Sequence, residues 1–193
     1  KKNNFKSEAE LKDKVNKSLE IQYDNLLKEI EKKILYDLFE SKHIFIIPEG
    51  IFEEEFNQIW QRVQHAKKNN TLDKDDQELT DANLKKRYAN IATRRVKLAI
   101  IMQKIAEKNS INLTNEELTN GLLEYASKYP GQEKQIFEFF KKNPLKLETI
   151  KAPIFENKVM NNILAMSIRV NKTITINEFE KLQEQTFTIK ENK

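Results

Sequence analysis

Apolar residues recur along this chain at steps of three and four, and the pattern begins almost at once. Ser7-Glu8-Ala9-Glu10 reads as a capping box, with Ser7 accepting from a free backbone N–H and Glu10 reaching back. Leu11, Val15, Leu19, Tyr23, Leu26, Ile30, Ile34 and Leu38 then share one helical face. No proline intervenes before Pro48, so the spacing predicts a helix running to about Lys42, on the order of 50 Å long. Ile44-Phe45-Ile46-Ile47 reads as an extended connector, because the residue before a proline is pushed out of helical geometry. Pro48 opens a second helix with the stripe Phe52, Phe56, Ile59, Trp60 and Val63, and Glu53, Glu54 and Glu55 near its positive end. Residues 67–77 turn polar and predict a mobile tip.

A third helix carries Leu84, Tyr88, Ile91, Arg95, Leu98, Met102 and Ile105 and ends near Asn109-Ser110-Ile111-Asn112. Thr114-Asn115-Glu116-Glu117 is a second capping box, launching Leu118, Leu122, Tyr125 and Tyr129 toward a stop at Pro130-Gly131. A short helix is expected over about 132–142, and Pro144 begins another that Pro153 must kink or split. Beyond Ser167, the β-branched alternation of Ile168-Arg169-Val170 and Thr173-Ile174-Thr175-Ile176 predicts a short extended piece. Asn177 is expected to cap a last small helix through about Glu184. The fold class is all-α, built from helical hairpins. Long hairpins with few turns cannot close into one ball, so their inner faces should stay partly open.

Composition narrows what such a chain can do. It has three glycines, four prolines and no cysteine in 193 residues, so a thiolate nucleophile, a disulfide or a zinc–thiolate site is impossible. No P-loop, dinucleotide turn or nucleophile elbow occurs. His43 and His65 lack a second ligand at helical spacing, and Asp73, Asp75, Asp76 and Glu78 fail as a calcium loop, with Glu78 where glycine is required. No cofactor or metal is expected. No apolar run would span a bilayer, and the basic start leads into a charged helix, so a cytoplasmic location without membrane partners is the default. The start without methionine suggests a fragment or a processed chain.

Two surfaces invite a binding role. The basic group Lys85, Lys86, Arg87, Arg94, Arg95 and Lys97 could touch phosphates, but a net charge of +4 from 34 basic and 30 acidic residues favours a solvated helix face over specific nucleic-acid binding. Ile136-Phe137-Glu138-Phe139-Phe140 spreads apolar surface more widely than a helix with one buried side needs. That segment is either sandwiched in the core or partly exposed to a partner.

The ordered set of segments resembles the C-terminal, substrate-binding domain of trigger factor, the bacterial ribosome-associated chaperone. The likeness covers roughly residues 8–184. It rests on the long charged helix, the connector Ile46-Ile47-Pro48, Ala92-Thr93-Arg94-Arg95-Val96-Lys97-Leu98, and Leu113-Thr114-Asn115-Glu116-Glu117-Leu118. Tyr125-Ala126-Ser127-Lys128-Tyr129, Ile136-Phe137-Glu138-Phe139-Phe140 and Asn177-Glu178-Phe179 complete it. The resemblance implies an elongated helical body with two projecting helical-hairpin arms. By this likeness residues 7–47 are the body helix and connector, 48–110 the first arm, 112–165 the second and 166–193 a tail returning to the body. Pro153 departs from the family pattern within the second arm.

What the resemblance implies for function is an ATP-independent holdase for unfolded or nascent polypeptides, without catalysis in this fragment. Tyr125, Tyr129, Ile136, Phe139 and Phe140 match a client-contacting patch, and Phe52, Phe56, Trp60, Met102 and Ile105 are further candidates. The family's ribosome-docking and prolyl-isomerase domains precede this region and are expected to be absent, so the ribosome would be reached only through the former. A homodimer or a scaffold that binds one defined partner stays open as an alternative, as does nucleic-acid binding through the basic face.

Overall fold

Capping chemistry sets where the helices begin in the computed structural model of the chain, which describes residues 7–168 and 170–187. Among the described residues there are eight helices and no strand, so the fold is all-α. The chain falls into two compact units, residues 1–44 with 170–193, and residues 45–169.

The first unit pairs α1 (Glu8–Lys42) with α8 (Ile176–Phe187). The Ser7 hydroxyl accepts from the Glu10 N–H at 3.2 Å, and α1 then runs 35 residues with Glu8–Lys12, Glu10–Lys14 and Asp13–Lys17 pairs one turn apart. Tyr23 of α1 meets Phe179 of α8 edge-on at 5.2 Å. Among the described residues of the piece expected to be extended after Ser167, those up to Thr175 lie in neither helix nor strand, and Ile176, expected to belong to it, is already helical. Arg169 lies outside the described residues. The cap is Thr175 rather than Asn177. Its hydroxyl accepts from the Glu178 N–H at 3.3 Å while Glu178 accepts from the Thr175 N–H at 2.7 Å.

The second unit contains α2 (Glu49–Lys68), α3 (Lys74–Gln77), α4 (Asp81–Lys108), α5 (Asn115–Ser127), α6 (Glu133–Lys142) and α7 (Pro144–Met166). Here α2 packs on α4, and α5 packs on both α6 and α7, with α4 and α6 also meeting α7. Ile59, Val63, Leu84 and Ala92 form the core of the α2–α4 hairpin, with Phe52, Phe56, Trp60, Leu72, Leu79 and Tyr88 packed around it. Farther along α4, Val96, Ile101, Met102 and Ala106 are buried, as are Ile150, Val159 and Met160 of α7.

The polar tip is tethered rather than loose. Asp76, only 3% exposed, accepts from the Tyr88 hydroxyl at 2.5 Å. Its Oδ1 has no donor in hydrogen-bonding geometry but lies 3.2 Å from Arg87 Nη1, an ion pair that offsets its burial. Thr71 N–H and Gln77 Nε2 donate to the carbonyls of Ala66 and Leu72. Of the kink or split expected at Pro153, the split does not occur, since α7 continues through it from Pro144 to Met166. Gly121 lets α5 approach α7 closely, because a Cβ there would lie 2.2 Å from Ile154 Cδ1.

Candidate functional site

Polar bracing fixes the N-terminal end of α5, the helix that carries Tyr125. Thr114 accepts from the Glu117 N–H at 3.2 Å and donates its own N–H to Glu117 at 2.8 Å, closing the capping box anticipated from sequence. Lys158 of α7 reaches Glu117 at 2.8 Å and the Asn112 carbonyl at 2.7 Å, tying three segments together. The Lys158 ammonium, and then the Thr114 N–H, pull the Glu117 carboxyl down to about 2.

Helix α5 ends at Ser127, earlier than expected, so Tyr129 sits in the turn that follows. The Tyr129 N–H donates to Ala126 O at 2.9 Å, and Tyr129 O accepts from Gln132 N–H at 3.1 Å. Gly131 supplies the left-handed residue this reversal needs, with φ of 83°, and its N–H donates to the Glu133 carboxylate. The chain thereby turns directly into α6.

Four rings meet across this turn. Tyr125 lies 5.6 Å from Tyr129 and 5.6 Å from Phe140, the latter edge-on, and Phe139 meets Phe140 edge-on at 5.3 Å. Their exposures divide them into a floor and a surface. Phe140 is 6% exposed, whereas Tyr125, Tyr129 and Phe139 are 36%, 44% and 48% exposed. The Tyr125 hydroxyl is held above the usual tyrosine range, chiefly by its hydrogen bond with Tyr129. Ile136 and Phe137 are half-buried. The four aromatic candidates on this segment are therefore brought together, with one correction: Phe140 is core and supports the others instead of facing outward. Leu145, in the first turn of α7 and 88% exposed, adds apolar surface that the sequence reading did not single out. Its signal was Pro144 at the helix start, where no preceding turn exists to pack against it.

The other five candidates lie on α2 and α4. Phe52, Phe56 and Trp60 form a stacked row, with centroids 5.8 Å and 6.1 Å apart and planes tilted by 12° and 14°. All three are half-buried against the hairpin core. Ile105 is half-buried, but Met102 is buried at 5% exposure, so its thioether fills the core and presents no binding surface.

The basic face is largely occupied. Arg87 pairs with Asp76, Arg95 pairs with Glu55 at 2.8 Å, Lys97 lies over the Phe45 ring at 5.9 Å, and Arg94 is not free either. These contacts give the arginines structural work and leave few cations for a phosphate backbone. Among the described residues, no three His, Asp or Glu side chains approach closely enough to hold a metal ion, and no helix is long and apolar enough to cross a membrane.

Comparison with known sequences places these elements in a family. The C-terminus of bacterial trigger factor protein matches residues 8–165. Trigger factor of Gluconacetobacter diazotrophicus is 36% identical over 182 residues, covering 94% of this chain and 41% of that protein. Trigger factor of Rhodospirillum centenum is 33% identical over 181 residues, covering 94% of this chain and 40% of its own length. That of Azospirillum brasilense is 39% identical over 150 residues, covering 78% of the chain and 34% of the relative. The chain thus spans about two fifths of the length of the first two relatives.

Proposed function

Because the chain belongs to the bacterial trigger factor family, through the C-terminal region of that protein, we propose that it holds unfolded or nascent polypeptides without consuming ATP. The observation that carries this reading is the surface of Tyr125, Tyr129 and Phe139, exposed above a buried Phe140. Each ring has about 150–250 Å² of surface. Covering the exposed parts of all three would remove on the order of 250 Å² from water, or about 6 kcal/mol at 25 cal/mol per Å². Association itself costs about 4–15 kcal/mol. One such surface therefore binds weakly and releases readily, which suits a transient hold.

Useful retention comes from several weak contacts along one client. The stacked row of Phe52, Phe56 and Trp60 offers a second apolar surface in the same unit. A client engaging both gains through effective concentration and not through any one tight contact. Tyrosine suits this role because its ring is apolar while its hydroxyl stays hydrated. In the full-length protein, ribosome docking and prolyl isomerisation would belong to other domains.

Dilution of a chemically unfolded, aggregation-prone protein into buffer with and without the chain tests the proposal by light scattering. We expect a concentration-dependent delay without nucleotide, and a weaker delay for Tyr125→Ala/Phe139→Ala with helix content unchanged by circular dichroism. No delay and no binding of the client by the wild-type chain would defeat the reading. A double variant that simply unfolds would show those rings to be core.

A further inference from the structure

Five tyrosines occur in the chain, and two of them are in ring contact. Tyr125 lies in the last turn of α5, and Tyr129 follows just beyond the end of that helix. Their ring centroids are 5.6 Å apart and the planes are tilted by 44°. Their hydroxyls come close enough to share a hydrogen bond. Among the described residues no other two tyrosine rings meet. Tyr23 packs on Phe179, Tyr36 lies beneath Lys32, and the Tyr88 hydroxyl is held by Asp76. Both rings of the pair are also open to solvent.

Contact, access and freedom to move together make this pair a place where two phenols can be joined. The Tyr129 backbone is fixed by its bonds to Ala126 and Gln132, but its ring stands in a turn, outside the helix. Exposed side chains change rotamer within picoseconds to nanoseconds, long before two protein molecules meet. Groups joined by a short flexible link meet at effective concentrations of about millimolar, so at micromolar protein the neighbouring ring outcompetes a ring on another molecule on the order of a thousandfold. The chain has no cysteine, so no thiol of its own can quench a tyrosyl radical before the rings couple.

We propose that Tyr125 and Tyr129 form an oxidative modification site, coupled into an intramolecular dityrosine by a haem peroxidase supplied with hydrogen peroxide. Each phenol gives up one electron and its hydroxyl proton, and the resulting radicals form one carbon–carbon bond between carbons ortho to the oxygens. The hydrogen on each bonded carbon then moves to its own oxygen and restores the phenol. The two electrons and two protons cleave the peroxide O–O bond to give two waters. Joined rings turn an edge each toward one another and present less surface to a client. Withdrawing about 50 Å² of ring lowers affinity on the order of five- to tenfold. This consequence rests on the reading of the surface as polypeptide-binding, whereas the coupling itself does not.

Lys128 stands between the two tyrosines, which makes the link easy to read. Trypsin cuts after it and releases Tyr125 and Tyr129 on separate peptides, residues 109–128 and 129–134, unless the rings are bonded. The whole chain at micromolar concentration is treated with peroxide and peroxidase, digested and weighed. The two peptides should appear joined, lighter than their sum by two hydrogens, with dityrosine fluorescence in the monomer. Tyr125→Phe and Tyr129→Phe should each abolish the joined product, and Tyr23→Phe should leave it unchanged. Peptides that stay separate, or fluorescence found mainly in covalent dimers, would overturn the site. Anisotropy of a labelled unfolded peptide then compares the coupled chain with Tyr129→Phe treated in the same way, which carries any oxidation elsewhere. Equal losses of affinity in the two would overturn the consequence for binding. A peptide that fails to bind even the untreated chain would bring down the polypeptide-binding reading and that consequence with it, while the digest still decides the coupling.

Discussion

Replacing Phe139 and Phe140 one at a time by alanine separates the binding surface from its support. The two residues are adjacent on α6 but point about 100° apart, and their exposures are 48% and 6%. Truncating the buried ring removes the edge-on contacts with Tyr125 and Phe139 and leaves a cavity, a change that costs about 3–5 kcal/mol. Phe139 has only about 100 Å² covered by the protein, so its loss should cost at most about half as much. Binding should rank the other way round. The uncovered half of Phe139, about 100 Å², is worth at most about 2.5 kcal/mol to a client. Partial coverage brings that to about 1–2 kcal/mol, a five- to thirtyfold loss of affinity for an unfolded peptide. Urea unfolding followed by circular dichroism gives the stability of each variant, and anisotropy of a labelled peptide gives affinity. The reasoning is refuted if Phe140→Ala is as mild as Phe139→Ala, or if Phe139→Ala binds the peptide as tightly as the parent chain.

Two further outcomes follow from polar contacts elsewhere in the same unit. Tyr88→Phe removes the 2.5 Å hydrogen bond to buried Asp76, and hydrogen bonds to charged groups are worth about 1.5–3 kcal/mol. Unfolding of the α2–α4 hairpin, read through Trp60 emission, should shift by that amount, and a shift below about 0.5 kcal/mol would remove Asp76 as the tether of the tip. Glu117 titrates at about 2 in the folded chain, below its ordinary 4.5, so its contribution is present above about pH 4.5 and is lost as pH falls toward 2. Lys158→Met should flatten stability across that window, as should high salt at this partly exposed pair, and an unchanged acid profile would show the brace to be idle.

The helix starts that could be read from sequence are those whose capping partners lie within three residues. Ser7 and Thr114 announce themselves, and α1 runs to Lys42 because nothing breaks it before Pro48. Thr175 and Glu178 carry the same signal, but the β-branched alternation around them suggested an extended segment. Among the described residues no strand lies beside that alternation, and the Thr175 cap starts the helix at Ile176. Asp76 could not be recognised as buried because its partner Tyr88 lies twelve residues away, on the helix packed against it. The aromatic cluster was legible as a set of residues. Which ring would be floor and which surface depends on how α6 lies against α5, and periodicity alone does not fix that rotation. Met102 shows the same limit: helical spacing placed it on a face but not on the inner one.

The five tyrosines allow the central claim to be tested in one titration. With fluorine-labelled tyrosine incorporated throughout, each ring reports its own surroundings while a chemically unfolded client is added. Tyr125 and Tyr129 should shift saturably, and Tyr88, packed into the α2–α4 hairpin, should not. Client binding that leaves Tyr125 and Tyr129 unmoved would contradict the claim that this half-exposed aromatic surface holds unfolded chains.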